Sequence, residues 1–477
     1  MKKARFLFSV FACMCITTYS QTIQYSRQTF QTPYADAMQM VANVGGYHHL
    51  LCFSANKVPS IYIFDAQLQL QGKEELSFKL EEASDIRIVP FKEHYYLYVH
   101  STGTTVHELW KINGDGTTAL LSVPFQKLVD SVLNKNTATL QLINQQEGLF
   151  VAAHTYFDAM KKMGSTVVTL DKELNPSLIR KVFYSFDKDY ETLQQSMLAG
   201  NNLLLLKTSK NEGKGNSLDV VKVDLITGGS ISNSFNSGLY LYLNPSFKFS
   251  PKDSGILVYA TLREPANSSR TQRSVFINRL NFSLQEQAPL SLLRSLFRNN
   301  LAANYLLVQG PSSCWLNMAN NIRVSVRNSI AAPTRDFVTD DAGVVRLSRT
   351  SLPSFITPEY NQPTAIRFTV LNENFKPVKD SLIANNKNVF DVQPRPYAQF
   401  VMNNKAYLIL IQNFSSKHRG LLMVNATADG QLTTSDLRVF DRYNYLLPQL
   451  QAVGNYFILP YTYKNDIGLV KIKMEDQ

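Results

Sequence analysis

The chain has 477 residues, 44% of them hydrophobic and 18% charged, which excludes wholesale disorder and provides for a sizeable core. A formal net charge of +11 is modest for this length and implies no nucleic-acid partner, while 23 tyrosines and 28 phenylalanines beside 2 tryptophans favour strands over helices. Four cysteines are too few to be the framework of a body this large.

Residues 1–20 read as an export signal. Lys2, Lys3 and Arg5 form the positive region, residues 6–16 the apolar region, and Thr18-Tyr19-Ser20 a small-x-small cleavage site before Gln21. The apolar run is about half of the ~20 residues that span a bilayer, so no retained transmembrane helix is expected. Export from a bacterial-type cell follows, to the periplasm, the cell surface or the medium. A second layout lipidates Cys13 after Val10-Phe11-Ala12, but it puts Phe11 where such signals favour a small or aliphatic residue. Cys13 and Cys15 leave with a cleaved signal. Cys52 and Cys314 lie in strand-like apolar stretches and read as buried thiols acting as small hydrophobes.

Residues 21–33 offer one isolated strand, and from there the chain falls into a recurring unit. An apolar strand comes first, then a polar turn, then an alternating strand ending in Asp or Asn, then a turn into a third strand. The apolar strands are 48–53, 95–100, 149–154, 202–207, 255–262, 406–412 and 455–461, with 314–318 as a less regular copy. Their partners end in Ile63-Phe64-Asp65, Lys111-Ile112-Asn113, Thr169-Leu170-Asp171, Lys222-Val223-Asp224, Arg279-Leu280-Asn281 and Val370-Leu371-Asn372. The short Asp or Asn side chain bonds the backbone two residues on and tolerates left-handed turns. Leu68, Leu174, Leu284 and Phe375 follow three places later and are expected to start the next strand's inward face. These strands have period 2, which excludes helical solenoids. Short helices are expected at 124–134 and 289–297, where apolar residues fall on one face after a proline.

Seven histidines are potential metal ligands. His48, His49, His100 and His154 occupy corresponding strands, with His94 and His107 nearby, but their spacing matches no compact zinc site. No metal or other cofactor is expected. Asn113-Gly114-Asp115-Gly116-Thr117 lacks the further acids of a calcium loop and reads as a tight hairpin turn. No nucleophile elbow, phosphate loop or reactive Cys–His pair is present, so catalytic residues are unassigned. Tyr240 with Tyr242, and Tyr443 with Tyr445, alternate so that each pair shares a strand face, suited to core packing or to stacking on sugars.

The terminal Asp or Asn recurs roughly every fifty residues, close to the familiar propeller repeats, except for a step nearly twice as long between Asn281 and Asn372. That step marks an insertion at about 300–360. Residues 263–349 hold eleven arginines, no lysine and five acids. Arginine's planar fork suits carboxylate, phosphate or sulfate groups. The candidate binding residues are therefore Arg323, Arg327, Arg335 and Arg346, with Asp336, Asp340 and Asp341 as the acids among them. The last unit stops at about residue 473, one outer strand short, and the spare strand near residues 23–30 is available to complete it and remove an exposed edge.

Repeated hairpins, Asp or Asn turns and a last unit awaiting the N-terminal strand together resemble the β-propeller superfamily in a general way, over nearly all of residues 21–477. The resemblance implies one all-β domain, a single propeller of eight blades, with seven as the alternative. It also implies a ligand or partner on one flat face, or sugar chemistry in the central funnel. Two functions follow as expectations for a monomer. One is a non-enzymatic binding or scaffold protein for a protein or polysaccharide partner, engaging an anionic polymer through the Arg-rich insertion. The other is a glycoside hydrolase or lyase with acids in the funnel.

Overall fold

The computed structural model describes residues 22–474 apart from 32–36, 55–57, 80–82, 102–106, 122–136, 146–147, 171–175, 212–214, 239, 251–253, 264–272, 288–290, 295–302, 310–313, 326–334, 340–344, 350–358, 372–376, 385–396, 404, 416–417, 428–430, 438, 441 and 465. Within these residues the strands form eight sheets. Five are antiparallel meanders of four consecutive strands, as in the first sheet, Ala37–Val44, Tyr47–Phe53, Ser60–Phe64 and Leu70–Glu75; the second and eighth sheets have six strands, and the four strands of the sixth are interrupted between its second and third. The apolar strands read from the sequence are the second strand of each sheet, and the strands bearing the Asp or Asn signature are the third.

The first strands sit innermost, because they touch one another from sheet to sheet. Ala83–Pro90 packs on Thr137–Gln145, which packs on Glu191–Ala199, which packs on Leu241–Ser250. Tyr397–Met402 packs on Gln451–Val453, which packs on Ala37–Val44. This radial arrangement is a β-propeller. Polar side chains bond to the neighbouring inner strand: Gln195 Oε1, on an inner strand, accepts from the Phe247 N–H at 2.9 Å and the Ser246 hydroxyl at 3.0 Å, and Gln449 Oε1, in the short helical turn Leu447–Gln449, accepts from the Met40 N–H at 3.0 Å.

The first sheet is sandwiched between the second and the eighth, so alternate residues of its middle strands face different cores. Ile61 and Ile63 join the cluster shared with the second sheet, while Tyr62 and Phe64 join the cluster shared with the eighth. Burial on both faces is why these strands are continuous apolar runs. Cys52 is a buried free thiol in the same seam. Burial pushes it up to about 12, so it is inert rather than nucleophilic.

In the eighth sheet Tyr456–Tyr463 and Asp466–Lys473 are completed by Thr22–Tyr25, which pairs with Asp466–Lys473 from Thr22 opposite Lys473 to Tyr25 opposite Val470. Phe30–Gln31 continues the pairing onto Ile467 and Asp466. Ile23 and Tyr25 pack into the cluster between the seventh and eighth sheets, and Phe30 into the one between the eighth and first.

Two local expectations are corrected. Residues 291–294 are not helical but form the outer strand of the fifth sheet, with Val275 opposite Leu293. A short apolar run is ambiguous in period, and the pairing demand of the third strand decides it. The expected helix at 124–134 lies outside the described residues. Leu68 and Leu284 do not begin a strand either. They sit within the turn at φ 59° and 60°, donating their N–H to Asp65 and Asn281, with their side chains buried. Leu174 and Phe375 lie outside the described residues.

Candidate functional site

Strand alternation gives the propeller two unlike ends. One carries the first-to-second and third-to-fourth strand turns and holds the Asp and Asn signature. There Asp65 Oδ1 accepts from the N–H of Gln67 and Gln69, Asp224 Oδ1 from Ile226 and Thr227, and Asn281 Oδ1 from Ser283 and Gln285. Thr117 closes the Asn113–Thr117 turn on Asp115 in the same way. A Cβ on Gly114 would lie 2.3 Å from the Val44 carbonyl, so this loop is a packed turn rather than an ion site. Among the described residues, the turns at 65–69, 113–117, 224–229 and 281–285 are held by these caps.

The other end carries the second-to-third strand turns and the connections between sheets. The insertion arises there, from the second-to-third connection of the sixth sheet, between Cys314–Ser325 and Glu359–Leu371. Its described part is a hairpin, Arg335–Thr339 paired with Val345–Arg349. The second arm adds to the free edge of Ala83–Pro90, the innermost strand of the second sheet, with Val345 opposite Ile88 and Arg346 opposite Arg87. Because that pairing is antiparallel, the hairpin's open end, with Arg335 opposite Arg349, points back toward the connection end.

Arg87 belongs to a polar cluster at this end of the second sheet, built by Asp85 and Arg87 on the inner strand, Tyr98 and His100 on the second, and His107 on the third. The register sets Asp85 opposite His100, His100 opposite His107, and Arg87 opposite Tyr98. Arg87 pairs with Asp85 at 2.5 Å, both side chains nearly buried. Its guanidinium lies 5.5 Å over the Tyr98 ring. The Tyr98 hydroxyl meets His107 Nδ1 at 2.7 Å, and the imidazoles of His100 and His107 stack at 4.4 Å. A second buried ion pair occupies the same end of the fourth sheet, where Lys207 Nζ meets Glu191 Oε1 at 2.6 Å. Asp219 there accepts from Ser209 at 2.8 Å. Both inner-strand acids are thus matched by a cation.

Of the residues singled out in the sequence, the hairpin brings Arg335, Asp336 and Arg346 together. Arg323 lies on Cys314–Ser325, opposite Asn361. Side chains of these four, and Arg327, Asp340 and Asp341 altogether, lie outside the described residues. Asp85, Arg87, Glu191 and Lys207 escaped sequence reading. The signal was present in Asp85-Ile86-Arg87-Ile88, whose alternation sets both charges on one strand face.

The histidines serve the seams between sheets. His48 is buried with its Nδ1 accepting from the Asn43 N–H and its ring edge-on to Tyr456 of the eighth sheet. His49 faces the second sheet. Since the Gly114 carbonyl can only accept, His49 Nε2 donates to it at 2.7 Å, and the neutral Nδ1 takes the Tyr95 hydroxyl at 3.2 Å. His154 lies between the third and fourth sheets against Ser165, at 2.7 Å, and Ser196, at 3.3 Å. Among the described residues no three His, Cys, Asp or Glu side chains come together so as to hold a metal ion, and no helix is long and apolar enough to cross a membrane.

Neither tyrosine pair shares an exposed strand face. Tyr240 is exposed but precedes its strand, whereas Tyr242 packs edge-on against Phe276. Tyr443 stacks on Tyr461 at 4.3 Å, and Tyr445 is buried.

Comparison with known proteins finds no matching family model and no matching curated protein. Similar solved structures include the WD40 domain of SCAP from fission yeast, at 8% identity over 96% of this chain and 98% of that one, TM-score 0.41. The BP39L lectin from Burkholderia pseudomallei is 9% identical over 88% and 99%, TM-score 0.38. An oligogalacturonate lyase in complex with manganese is 7% identical over 94% and 98%, TM-score 0.37. Likeness at this level concerns fold and carries nothing about activity.

Proposed function

We propose that the chain is an exported, monomeric binding protein, a closed eight-bladed propeller that holds an anionic polymer at its connection end. The observation that carries this reading is the register of the insertion hairpin. It sets Arg346 opposite Arg87 and Arg335 opposite Arg349, and like charges directly opposite on paired strands are unfavourable unless something neutralises them. Asp85 answers Arg87. A ligand carboxylate or sulfate would answer the rest through charge-assisted hydrogen bonds. The inner-strand acids Asp85 and Glu191 are paired with the cations Arg87 and Lys207.

Retention on heparin and pectate resins tests this. Changing Arg323, Arg327, Arg335 and Arg346 together to Ala is expected to lower the eluting salt concentration sharply, each lost contact weakening binding about tenfold. The thermal midpoint serves as the check on folding. Unchanged retention removes the arginines from the site, and release of reducing ends from pectate would replace the binding reading by the enzymatic one.

A further inference from the structure

The connection end presents aromatic rings as well as cations. Among the described residues four large aromatic side chains are exposed, and three of them, Tyr190 (47%), Tyr240 (40%) and Phe440 (58%), lie on sheet-to-sheet connections. These join the third to the fourth, the fourth to the fifth and the seventh to the eighth sheet. All three therefore stand at the end from which the insertion enters.

Each ring also rides on a fixed backbone. Tyr190 donates its N–H to the Asp187 carbonyl and accepts from the Lys210 N–H. Tyr240 donates to the Ser237 carbonyl and accepts from the Ser237 hydroxyl at 2.7 Å and the Asn216 amide at 3.0 Å. Phe440 donates its N–H to the Tyr25 hydroxyl at 3.0 Å and accepts from the Tyr445 hydroxyl at 2.9 Å. Because Tyr445 spends its proton on Phe440, the Tyr25 hydroxyl donates to Tyr445, at 2.9 Å. A residue whose own backbone N–H and C=O are bonded while its ring stays largely exposed holds that ring in a fixed place toward solvent; the Phe440 ring is further braced by Tyr25, at 4.8 Å, and Tyr443, at 5.4 Å. Rigid rings contribute contact area at little entropic cost. Two of the three rings have exposed cations close by in the chain or across a backbone bond: Lys210, whose N–H bonds the Tyr190 carbonyl, Lys188, whose ammonium lies 5.3 Å over the Tyr156 ring, and Arg442, two residues after Phe440.

We propose that Tyr190, Tyr240 and Phe440 are stacking platforms for the sugar rings of an acidic polysaccharide, laid across the connection end over the Arg-bearing hairpin. This rests on the anionic-polymer reading and adds that the polymer is a glycan. A pyranose offers an apolar C–H face to an aromatic ring while its carboxylate or sulfate meets the neighbouring cation. Platforms on separate connections favour long chains over short oligomers, since later contacts form at high effective concentration.

Binding to polygalacturonate, alginate and heparin, with polyglutamate as a polyanion without sugar rings, tests it. Tyr190→Ala, Tyr240→Ala and Phe440→Ala are each expected to weaken binding to one of the three glycans about three- to tenfold, with the thermal midpoint and any polyglutamate binding unchanged. If the aromatic variants bind glycan as wild type while the arginine variants do not, the stacking inference falls and the anionic-polymer reading stands. If the wild-type protein binds none of the four probes, both fall.

Discussion

Removal of residues 22–31 is expected to leave a chain that aggregates and unfolds well below the intact protein. The deleted segment carries the outer strand of the eighth sheet, and Asp466–Lys473 would become an edge bearing the apolar Ile467, Leu469, Val470 and Ile472. Such an edge is a template for pairing with other chains. The lost contacts are also large. Ile23 and Tyr25 leave the cluster around Phe457, Tyr461 and Val470, and Phe30 leaves its stack on Tyr62, at 3.5 Å. Ser26 gives up reciprocal bonds with the Leu469 backbone, at 2.8 and 3.0 Å. At about 1.5–3 kcal/mol for each large side chain uncovered, the loss is roughly 5 kcal/mol or more, a large share of ordinary domain stability. Size-exclusion chromatography and thermal unfolding measure it. Addition of a peptide of residues 21–31 should restore part of the stability, and a truncated chain as stable and monomeric as the parent would show that the strand is dispensable.

Acid is the second large effect. Burial holds His48 down to about 4, helped by the nearby Lys471, and burial alone holds His154 down to about 4; His49 is lowered in the same sense. In the unfolded chain these imidazoles take up protons near 6.5. The unfolded state therefore binds more protons between about 4 and 6.5, so stability is complete above that window and is lost as the pH falls through it. Fully developed, the loss is roughly 3 kcal/mol for each of His48 and His154. Thermal midpoints at about pH 7 and about pH 4.5 should differ markedly, and His154→Gln, which can still bond Ser165 or Ser196 but does not titrate, should flatten the dependence. A midpoint equally steep in pH with and without His154 would contradict the assignment.

Much of the fold was legible because its middle strands are buried on both faces. Ile63-Phe64-Asp65 and Arg279-Leu280-Asn281 announce themselves as apolar strands closed by a side chain that caps its own turn, and the structure shows those caps at Asp65 and Asn281. Innermost strands were harder to read. Gln195 on an innermost strand and Gln449 in the turn before one look like surface in a sequence, yet they are satisfied by the neighbouring inner strand, a partner that no local pattern reveals. Leu68 and Leu284 misled for a related reason, since a buried leucine at positive φ obeys the core rather than the turn propensity. As to the site, the arginine-rich insertion was legible from composition, but its place was not. Only strand pairing shows that Arg346 meets the register of Arg87, 259 residues earlier in the sequence.

Hydrogen–deuterium exchange with and without the tightest-binding acidic polysaccharide shows which end of the propeller the ligand covers. Ligand-dependent protection is predicted at residues 187–190, 237–240, 335–349 and 439–443, with the turns at 65–69, 224–229 and 281–285 unchanged. Protection confined to those turns would place the ligand on the opposite end and contradict the account.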